Sequence, residues 1–189
     1  MLALAPDSGK TSPQPDAGPT DRTPRPVRIA VVTVSDTRTA DDDRSGDLLV
    51  ERLTAAGHVL ADRAWVADDR ECLASQLRHW ASTGDVEVVL TTGGTGVTGR
   101  DVTPEAVADV ADKLIPGFGE LFRMISFDII GTSTIQSRAT AAVAQGTYIF
   151  ALPGSPSACR DAWDRILGHQ LDIRHRPCNF AELLPRLQE

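Results

Sequence analysis

The sequence predicts an α/β fold in three layers, with a mainly parallel central sheet and helices on both of its faces. Short runs of β-branched and other apolar residues alternate along the chain with segments whose apolar residues recur every three or four positions. Several of the apolar runs also end in Asp, Gly or Ser, as strands do when they lead into loops or helix caps. Strands that alternate with helices require crossover connections, which place helices against both faces of a parallel sheet.

Three predicted strands and two predicted helices alternate through the first half of the chain. The strands are residues 27–34, 58–66 and 86–90. The first helix follows three aspartates at positions 41–43, and Gly57 provides its C-terminal stop. The second helix ends before Gly84. Each helix has one apolar face at helical spacing, namely Leu49, Leu53 and Ala56 in the first and Leu73, Leu77, Trp80 and Ala81 in the second.

The second half contains two further helices, the last predicted strand and a closing helix. Thr103 is expected to be the N-cap of the third helix, with Pro104 as its first helical residue. Residues 113–120 are interpreted as a turn into a fourth helix over 118–130, and residues 147–152 form the last strand. A regular helical stripe follows, which we interpret as core rather than as a cofactor site: Cys159, Ala162, Trp163, Ile166 and Leu167.

The chain of 189 residues is long enough for one well-buried domain, which we place at residues 27–189. Residues 1–26 contain six of the twelve prolines, with Ser, Thr, Asp and Gly between them and almost no large apolar side chains. Such a segment buries too little apolar surface to offset the entropy cost of ordering it. We therefore predict a disordered N-terminal tail over 1–26, followed by a single α/β domain.

Charge and composition exclude several classes of partner. Acidic residues outnumber Lys and Arg by 26 to 19, and the net charge of -7 gives no electrostatic support for binding nucleic acid or anionic lipid. No apolar segment approaches the ~20 residues that a membrane-spanning helix needs, and the opening segment is too short for a secretory signal. The three cysteines and four histidines lack metal-ligand or disulfide spacing. We expect a cytoplasmic protein that acts on small molecules, without a nucleic acid or membrane partner.

A glycine-rich loop directly after the third predicted strand is the strongest candidate for a ligand site. Its candidate nucleotide-binding residues are Thr92, Gly93, Gly94, Thr95 and Gly96. Glycines allow the backbone N–H groups to wrap closely around an anion, and the N-terminus of the following helix adds a favourable field. The loop lacks the Gly-Lys-Ser/Thr of a P-loop and the acidic partner of a dinucleotide-binding motif. A flexible surface connection is the alternative interpretation.

Acidic and small polar residues follow the predicted strands. They are Ser35 and Asp36, Asp68 and Asp69, the glycine-rich loop from Thr91 to Asp101, and Pro153-Gly154-Ser155-Pro156. The carboxyl ends of parallel strands meet at one edge of the sheet, where ligands bind. Carboxylates at that edge repel a polyphosphate unless a cation joins them, so we predict Mg2+ bound by Asp68 and Asp101 together with substrate phosphates. The alternatives are that Asp68 is the N-cap of the second helix and that Asp101 pairs with Arg100.

Four segments taken together match a known protein family. They are Val34-Ser35-Asp36, Thr91-Thr92-Gly93-Gly94-Thr95-Gly96 with Arg100-Asp101-Val102-Thr103-Pro104-Glu105, Ser137-Arg138-Ala139, and Leu152-Pro153-Gly154-Ser155-Pro156. Through them the chain resembles the MoaB/MogA family of molybdenum cofactor biosynthesis proteins, which adenylylate molybdopterin. The resemblance covers about residues 28–187, and residues 117–124, 131–134 and 174–180 are similar to the MoaB branch in particular.

The resemblance implies a nucleotidyl transfer that uses ATP and molybdopterin as substrates. A terminal phosphate of molybdopterin attacks the α-phosphorus of ATP, pyrophosphate leaves, and adenylylated molybdopterin passes on for metal insertion. Such a transfer depends on positioning and charge neutralisation, so no protein nucleophile is required. The resemblance also implies that Asp68 and Asp101 are the catalytic pair at the reacting phosphates, with Mg2+ between them and the substrates.

The resemblance implies two sides of one cleft. Ser35 and Asp36 line the nucleotide side with the glycine-rich loop, and the pterin-binding residues are Ser137, Arg138, Pro153, Gly154 and Ser155. For Arg138, a surface salt bridge is the alternative interpretation. The chain departs from the family at Ala142, where a glycine is usual, and the added methyl group is expected to hinder the approach of the pterin.

The resemblance further implies protein partners and leaves other functions open. The expected partners are copies of the same chain, in a trimer or a dimer of trimers, and the molybdate-inserting enzyme. One alternative function is a molybdopterin-binding protein of the same fold that does not transfer adenylate. Another is a hydrolase related to nicotinamide-nucleotide deamidases, whose domain shares the Gly-Gly-Thr-Gly loop.

Overall fold

A six-stranded sheet forms the centre of the computed structural model, which describes residues 22–189. In chain order its strands are Arg28–Val34 (β1), Val59–Val66 (β2), Val88–Thr92 (β3), Lys113–Leu114 (β4), Thr140–Ala144 (β5) and Thr147–Leu152 (β6). Their order across the sheet is β2-β1-β3-β6-β5-β4. Strands β2, β1, β3 and β6 are parallel, whereas β5 is antiparallel to both of its neighbours. The predicted α/β class and mainly parallel sheet are therefore confirmed.

Helices connect the strands and cover both faces of the sheet. The principal helices are Arg44–Ala55 (α1), Arg70–Thr83 (α2), Thr103–Val110 (α3), Pro116–Ile130 (α4) and Pro156–Ala162 (α5). The last of these continues as a π-helical turn, Trp163–Leu167, and a short helix, Gly168–Gln170 (α6). A 3-10 segment, Gly131–Gln136, follows α4, and Phe180–Leu183 (α7) with the 3-10 turn Leu184–Arg186 lies near the C-terminus.

Two apolar cores lie on opposite faces of the sheet, because alternate residues of β1 point in opposite directions. Ile29 and Val31 belong to a core built with α1, α4 and α5, whereas Ala30 and Val32 belong to a core built with α2 and α3. The predicted stripe from Cys159 to Leu167 lies entirely within the first core, as interpreted from its spacing. The two cores produce the predicted three layers.

The sequence did not reveal β4 and β5. Three of the five residues of Thr140–Ala144 are alanines, which have little intrinsic preference for strands. This strand forms because a two-residue turn at Gln145 and Gly146, both with positive φ, folds it back onto β6 as a hairpin. The segment 113–120, which the sequence predicts to be a turn, instead holds β4 and the first turn of α4, which begins at Pro116.

The start of α3 also differs from the prediction. Thr103 is the first helical residue rather than the N-cap, and the N-cap position is occupied by Val102 without a side-chain hydrogen bond. The Thr103 hydroxyl donates instead to the carbonyl oxygen of Gly93, at 2.8 Å. A residue that suits a cap by its chemistry therefore fastens the glycine-rich loop to the helix.

Only the end of the predicted N-terminal tail lies within the described residues, since residues 1–21 fall outside them. Arg22 donates to Glu182 at 2.8 Å, and Arg25 forms an ion pair with Glu87 at 2.5 Å. The described part of the predicted tail therefore lies against the domain. Between residues 22 and 189, the helices are all too short or too polar to cross a membrane.

Candidate functional site

The ends of β1, β3 and β6 meet through backbone contacts at the carboxyl edge of the sheet. The Gly93 N–H donates to the carbonyl oxygen of Leu152 at 3.1 Å, and an ideal Cβ at Gly93 would collide with the carbonyl oxygen of Val34. An ideal Cβ at Gly154 would lie 3.3 Å from the Cα of Gly93. The polar segments predicted to share one edge of the sheet are thus in direct contact there.

The glycine-rich loop is held firmly against the start of α3. The Thr103 N–H donates to the carbonyl oxygen of Gly94 at 3.0 Å, in addition to the hydroxyl bond to Gly93. Gly93 and Gly94 have φ values of 109° and 62°, which side chains rarely tolerate. Thr95 is also buried. These contacts oppose the interpretation of the loop as a flexible surface connection.

Asp36 and Asp68 join the loops that follow β1 and β2. The Asp36 N–H donates to Asp68 Oδ2 at 3.2 Å, and the Asp68 N–H donates to Asp36 Oδ1 at 3.1 Å. Asp69 rather than Asp68 is the N-cap of α2, because its carboxylate accepts from the N–H of Cys72 at 2.8 Å. The capping alternative for Asp68 is therefore wrong, and its carboxylate faces the glycine-rich loop, where Oδ1 lies 3.5 Å from an ideal Cβ at Gly94.

Asp101 lies within the loop itself, next to Gly96. Its Oδ2 accepts from both the N–H and the hydroxyl of Thr98, at 2.8 Å and 2.7 Å, and lies 2.8 Å from an ideal Cβ at Gly96. The neighbouring Arg100 forms an ion pair with Asp36, so the alternative in which Arg100 pairs with Asp101 is not observed. Asp101 is oriented by the loop itself.

The charge of Asp101 reaches the carboxyl of Asp68 and affects its ionisation. Burial, and then the charge of Asp101, raises the pKa of Asp68 above its ordinary value. Burial also disfavours the charged form of Asp101, but the hydrogen bonds from Thr98 and Gly96 outweigh it and lower the pKa of Asp101. The site therefore holds two acidic groups with opposite shifts at one edge of the sheet.

A cleft of about 410 Å³ opens at this edge. Its lining residues are Gly94, Thr95, Gly96, Asp101, Gln136, Ser137, Pro153, Gly154 and Ser155. The cleft thus brings the glycine-rich loop and one acidic residue together with most of the residues assigned to the pterin side. Gln136 was not predicted as a site residue, because it lies at the end of a short 3-10 segment that has no distinctive sequence pattern.

Two predicted site residues support the cleft from behind its walls. Thr92 is fully buried, and its hydroxyl donates to the carbonyl oxygen of Pro153 at 3.0 Å. The Ser35 hydroxyl accepts from the N–H groups of Thr37 and Arg38, at 3.2 Å and 3.1 Å, and so shapes the loop after β1. Their side chains fix the loops rather than line the cleft.

Arg138 clamps the glycine-rich loop. Its Nε donates to the carbonyl oxygen of Gly96 at 2.6 Å, its Nη2 donates to the carbonyl oxygen of Asp101 at 2.7 Å, and its Nη1 pairs with Glu105. The Arg138 N–H also donates to the carbonyl oxygen of Thr95 at 2.9 Å. The guanidinium is thus engaged with the protein rather than directed at the pterin side, and the contacts exceed those of a surface salt bridge.

Ser137 and Ser155 both line the cleft. The carbonyl oxygens of Ser137 and Ala139 accept from Arg123, at 3.3 Å and 3.1 Å, which fixes the segment around Ser137 to α4. Ser155 is the N-cap of α5 and accepts from the N–H of Ala158 at 3.3 Å. The N-terminal N–H groups of α5 therefore begin at the cleft.

The turn at Gly154 is fixed by residues that the sequence did not identify. The buried Ser45 donates to the carbonyl oxygen of Gly154 at 2.8 Å and lies 3.1 Å from Nη1 of Arg38. No motif at the start of α1 links Ser45 to residue 154, because the contact joins positions far apart in the chain.

The side chain of Ala142, which stands where the family usually has a glycine, does not line the cleft. Ala142 is fully buried, lies opposite Ile149 in the hairpin, and belongs to the core beneath α2 and α3. The expectation that its methyl group hinders the pterin is wrong, because the side chain of this strand residue points into the core.

The chemistry of the donor groups fits Mg2+. Within residues 22–189, no group of three or more His, Cys, Asp or Glu side chains forms a site that could hold a metal ion by itself. Two carboxylates beside a glycine-rich loop suit a cation that takes one or two protein ligands and completes its shell with water and, where they are present, phosphate oxygens. Asp68 and Asp101 would be those ligands.

Comparison with known proteins places the whole domain in one family. The model of the family described as "Probable molybdopterin binding domain" matches residues 30–172. The chain is 52% identical over 155 residues to molybdenum cofactor biosynthesis protein B of Escherichia coli (strain K12), a match that covers 82% of this chain and 91% of that protein.

Solved structures show the same fold. A crystal structure of molybdenum cofactor biosynthesis protein B superposes with a TM-score of 0.80 at 42% identity and covers 88% of this chain and 98% of that one. The molybdopterin biosynthesis enzyme MoaB from Thermus thermophilus superposes with a TM-score of 0.71 at 29% identity and covers 86% and 96%. The similarity therefore extends over most of the chain and includes its fold.

Proposed function

Because the chain belongs to the MoaB family of molybdenum cofactor biosynthesis proteins, we propose that it is a molybdopterin adenylyltransferase. In this reaction a terminal phosphate oxygen of molybdopterin attacks the α-phosphorus of ATP. A new P–O bond forms, the bond between the α-phosphorus and the β-phosphate oxygen breaks, and pyrophosphate leaves. The products are adenylylated molybdopterin and pyrophosphate, in a cytoplasmic pathway that ends with insertion of the metal.

The single observation that carries this proposal is that the carboxylates of Asp68 and Asp101 both lie against the glycine-rich loop, Asp68 near Gly94 and Asp101 near Gly96. Phosphoryl chemistry needs the reacting groups aligned and their negative charge compensated, with little covalent participation from the protein. The backbone N–H groups of the loop bind and orient the phosphates, and Asp101 is already held by Thr98. When bound by these carboxylates, Mg2+ would supply the positive charge that the site otherwise lacks.

The second substrate is assigned to the part of the cleft that Ser137 and Ser155 line. Ser137 lies beside the glycine-rich loop, and Ser155 stands at the N-terminus of α5. Hydroxyl groups and helix N-terminal N–H groups are suitable donors for the phosphate and polar edge of a pterin. This arrangement supports molybdopterin as the acceptor, with ATP on the Asp68 side.

The proposal predicts that purified protein with Mg2+, ATP and molybdopterin releases pyrophosphate, and that Asp101→Asn nearly abolishes the release. Asparagine keeps an oxygen that accepts from Thr98 but removes the negative charge, so the fold should persist while the metal and phosphates lose their ligand. Pyrophosphate formation, measured with a coupled assay alongside circular dichroism, tests the change. Asp85→Asn, which makes the same change in an exposed loop at the other edge of the sheet, should retain full activity.

Two outcomes would favour the other functions. No pyrophosphate above the protein-free control, together with retained binding of molybdopterin, would identify a binding protein of the same fold. Ammonia released from a nicotinamide nucleotide would identify a hydrolase.

A further inference from the structure

Arg100 forms an ion pair with Asp36 that joins two of the loops at the carboxyl edge of the sheet. Arg100 belongs to the loop after β3, whereas Asp36 belongs to the loop after β1. Asp36 is in turn joined to Asp68 by two reciprocal hydrogen bonds of 3.2 Å and 3.1 Å. One residue therefore connects the Arg100 guanidinium to a carboxylate that faces the phosphate-binding loop.

In the segment that carries Arg100, hydrogen bonds hold the residues at its base, whereas the residues at its tip are exposed. At the base, the Asp101 N–H donates to the carbonyl oxygen of Thr98 at 3.1 Å, and Asp101 Oδ2 accepts from the Thr98 N–H at 2.8 Å. At the tip, the Arg100 side chain is 71% exposed, and an ideal Cβ at Gly99 meets no atom within 4 Å. The guanidinium can thus change its partner while Asp101 stays in place.

When a nucleotide binds, the charges around Arg100 favour an exchange of its ion-pair partner. An exposed ion pair contributes little net free energy because both groups are well solvated when separated. A triphosphate offers several anionic oxygens in a geometry that suits the planar guanidinium, and the resulting hydrogen bonds are charge-assisted. Asp36, by contrast, carries a negative charge that repels the triphosphate.

We infer that Arg100 exchanges Asp36 for the phosphate chain of a nucleoside triphosphate. The Arg100–Asp36 ion pair is then present only in the nucleotide-free protein. The inference rests on the proposed function, because it takes Mg·ATP as the ligand. It also changes the role expected for Asp36, which competes with the nucleotide for Arg100 instead of binding the nucleotide.

The test is calorimetric titration of Mg·ATP, without molybdopterin, into the full chain and three variants. Arg100→Gln should weaken binding about tenfold, as expected for the loss of charge-assisted hydrogen bonds. Asp36→Asn keeps the acceptor for the Asp68 N–H but releases Arg100, and should tighten binding about threefold, within the range for an exposed ion pair. In the double variant, most of this tightening should disappear, because only the general repulsion between Asp36 and the triphosphate is then relieved.

Matched variants separate this exchange from general effects of charge. Arg52 forms an exposed ion pair with Asp164 near the other end of α1, and Arg52→Gln should leave Mg·ATP affinity unchanged. Arg100→Lys keeps the charge but not the planar donor pair, and should recover only part of the lost affinity. Thermal unfolding of each variant shows whether the fold is retained.

The results distinguish this inference from the proposed function. Equal tightening by Asp36→Asn with and without Arg100 would show simple removal of a negative charge and would overturn the exchange. Unchanged affinity in Arg100→Gln would also overturn it, and absence of Mg·ATP binding to the wild-type protein would overturn both proposals. The predicted affinities without pyrophosphate release in the presence of molybdopterin would leave the exchange standing and reject the adenylyl transfer.

Discussion

Two glycines allow three strand ends to meet at the candidate site with no side chain between them. An ideal Cβ at Gly93 would strike the backbone of Val34, and Gly154 packs directly on Gly93. Glycine is needed at position 93 for a second reason, because the φ of 109° is unfavourable for other residues. The loop composition predicted a close approach of the backbone to an anion, whereas in the structure Gly93 closely approaches Val34 and Gly154, which belong to distant parts of the chain.

His58 provides a residue-scale test that is independent of the site. Its Nδ1 accepts from the Val27 N–H at 3.2 Å, and its ring packs edge-on against Trp163. Burial lowers the pKa of His58 below its ordinary value of 6.5, although the charge of Asp172 partly opposes the shift. Protonation would also remove the acceptor that the Val27 N–H uses.

The sign of the pH dependence follows from proton binding. The unfolded chain takes up a proton as the pH falls past 6.5, whereas folded His58 does so only at lower pH, so the free energy of unfolding decreases as the pH falls through this window. His58→Asn offers an acceptor near Val27 but cannot be protonated, and should flatten the dependence between pH 7 and 5. Urea titrations at several pH values measure it. His79→Asn, on exposed α2 surface, should reproduce the wild-type slope.

At the scale of single elements, the segment between α4 and β5 determines the shape of the glycine-rich loop. Arg123 of α4 fixes the carbonyl oxygens of Ser137 and Ala139, and Arg138 then binds the carbonyl oxygens of Gly96 and Asp101. A helix, a connecting segment and a loop are thereby linked by arginine side chains. The loop can keep one conformation before any ligand binds.

Replacement of Arg138 by lysine should loosen this connection. A single ammonium group cannot reach the three partners of the guanidinium, and the carbonyl oxygens left without a donor should lower the free energy of unfolding by about 1–3 kcal/mol. Affinity for Mg·ATP should fall as well, because the loop is no longer held in shape. Chemical denaturation and calorimetric titration measure the two effects.

The control for this variant is Arg186→Lys, which alters an exposed arginine paired with Glu189 and should leave stability unchanged. If Arg138→Lys weakens only the binding of molybdopterin and retains wild-type stability, Arg138 contacts the pterin, as the sequence suggested. The role of Arg138 in holding the glycine-rich loop in shape would then be wrong.

The elements themselves were predictable to different degrees. Strands β1, β2 and β6 have continuous apolar or alternating patterns and lie within about one residue of their predicted ends. Strand β5 has no such pattern, since its alanines are compatible with either a helix or a strand, and its pairing with β6 decides the outcome. Local sequence patterns predict strands that have a continuous or alternating apolar pattern. A strand without such a pattern, such as β5, is determined by its pairing with a neighbouring strand.

On the scale of the whole molecule, α4 and the segment after it expose many large apolar side chains. They are Leu121, Met124, Phe127, Ile129, Ile130 and Ile135. Met124 is 69% exposed, and Phe127 is 55% exposed. Contiguous apolar surface of this kind marks contact sites between proteins, which supports the proposal that the chain assembles with copies of itself as a trimer or a dimer of trimers.

A charged residue on this surface should disrupt the assembly. In light scattering, the wild-type protein should have the mass of three or six chains of 20.2 kDa. Phe127→Glu should shift the mass toward a single chain, because a buried carboxylate without a partner is costly. Leu183→Glu, an equivalent change at an exposed leucine of α7, should keep the wild-type mass. A wild-type protein that is a monomer would remove the proposal.

The sequence by itself determined the fold class, the principal strands and helices, and the family, because hydrophobic periodicity and the glycine-rich loop are local properties of the chain. It also identified Asp68 and Asp101 as a pair at one edge of the sheet. Only the tertiary structure decided that Asp69 caps α2, that Arg138 holds the loop and that Arg100 reaches Asp36. Arg138 and Arg100 lie dozens of residues from their partners in the chain, and Asp69 competes as a cap with the adjacent Asp68, which has the same chemistry. The folded arrangement alone selects among these possibilities.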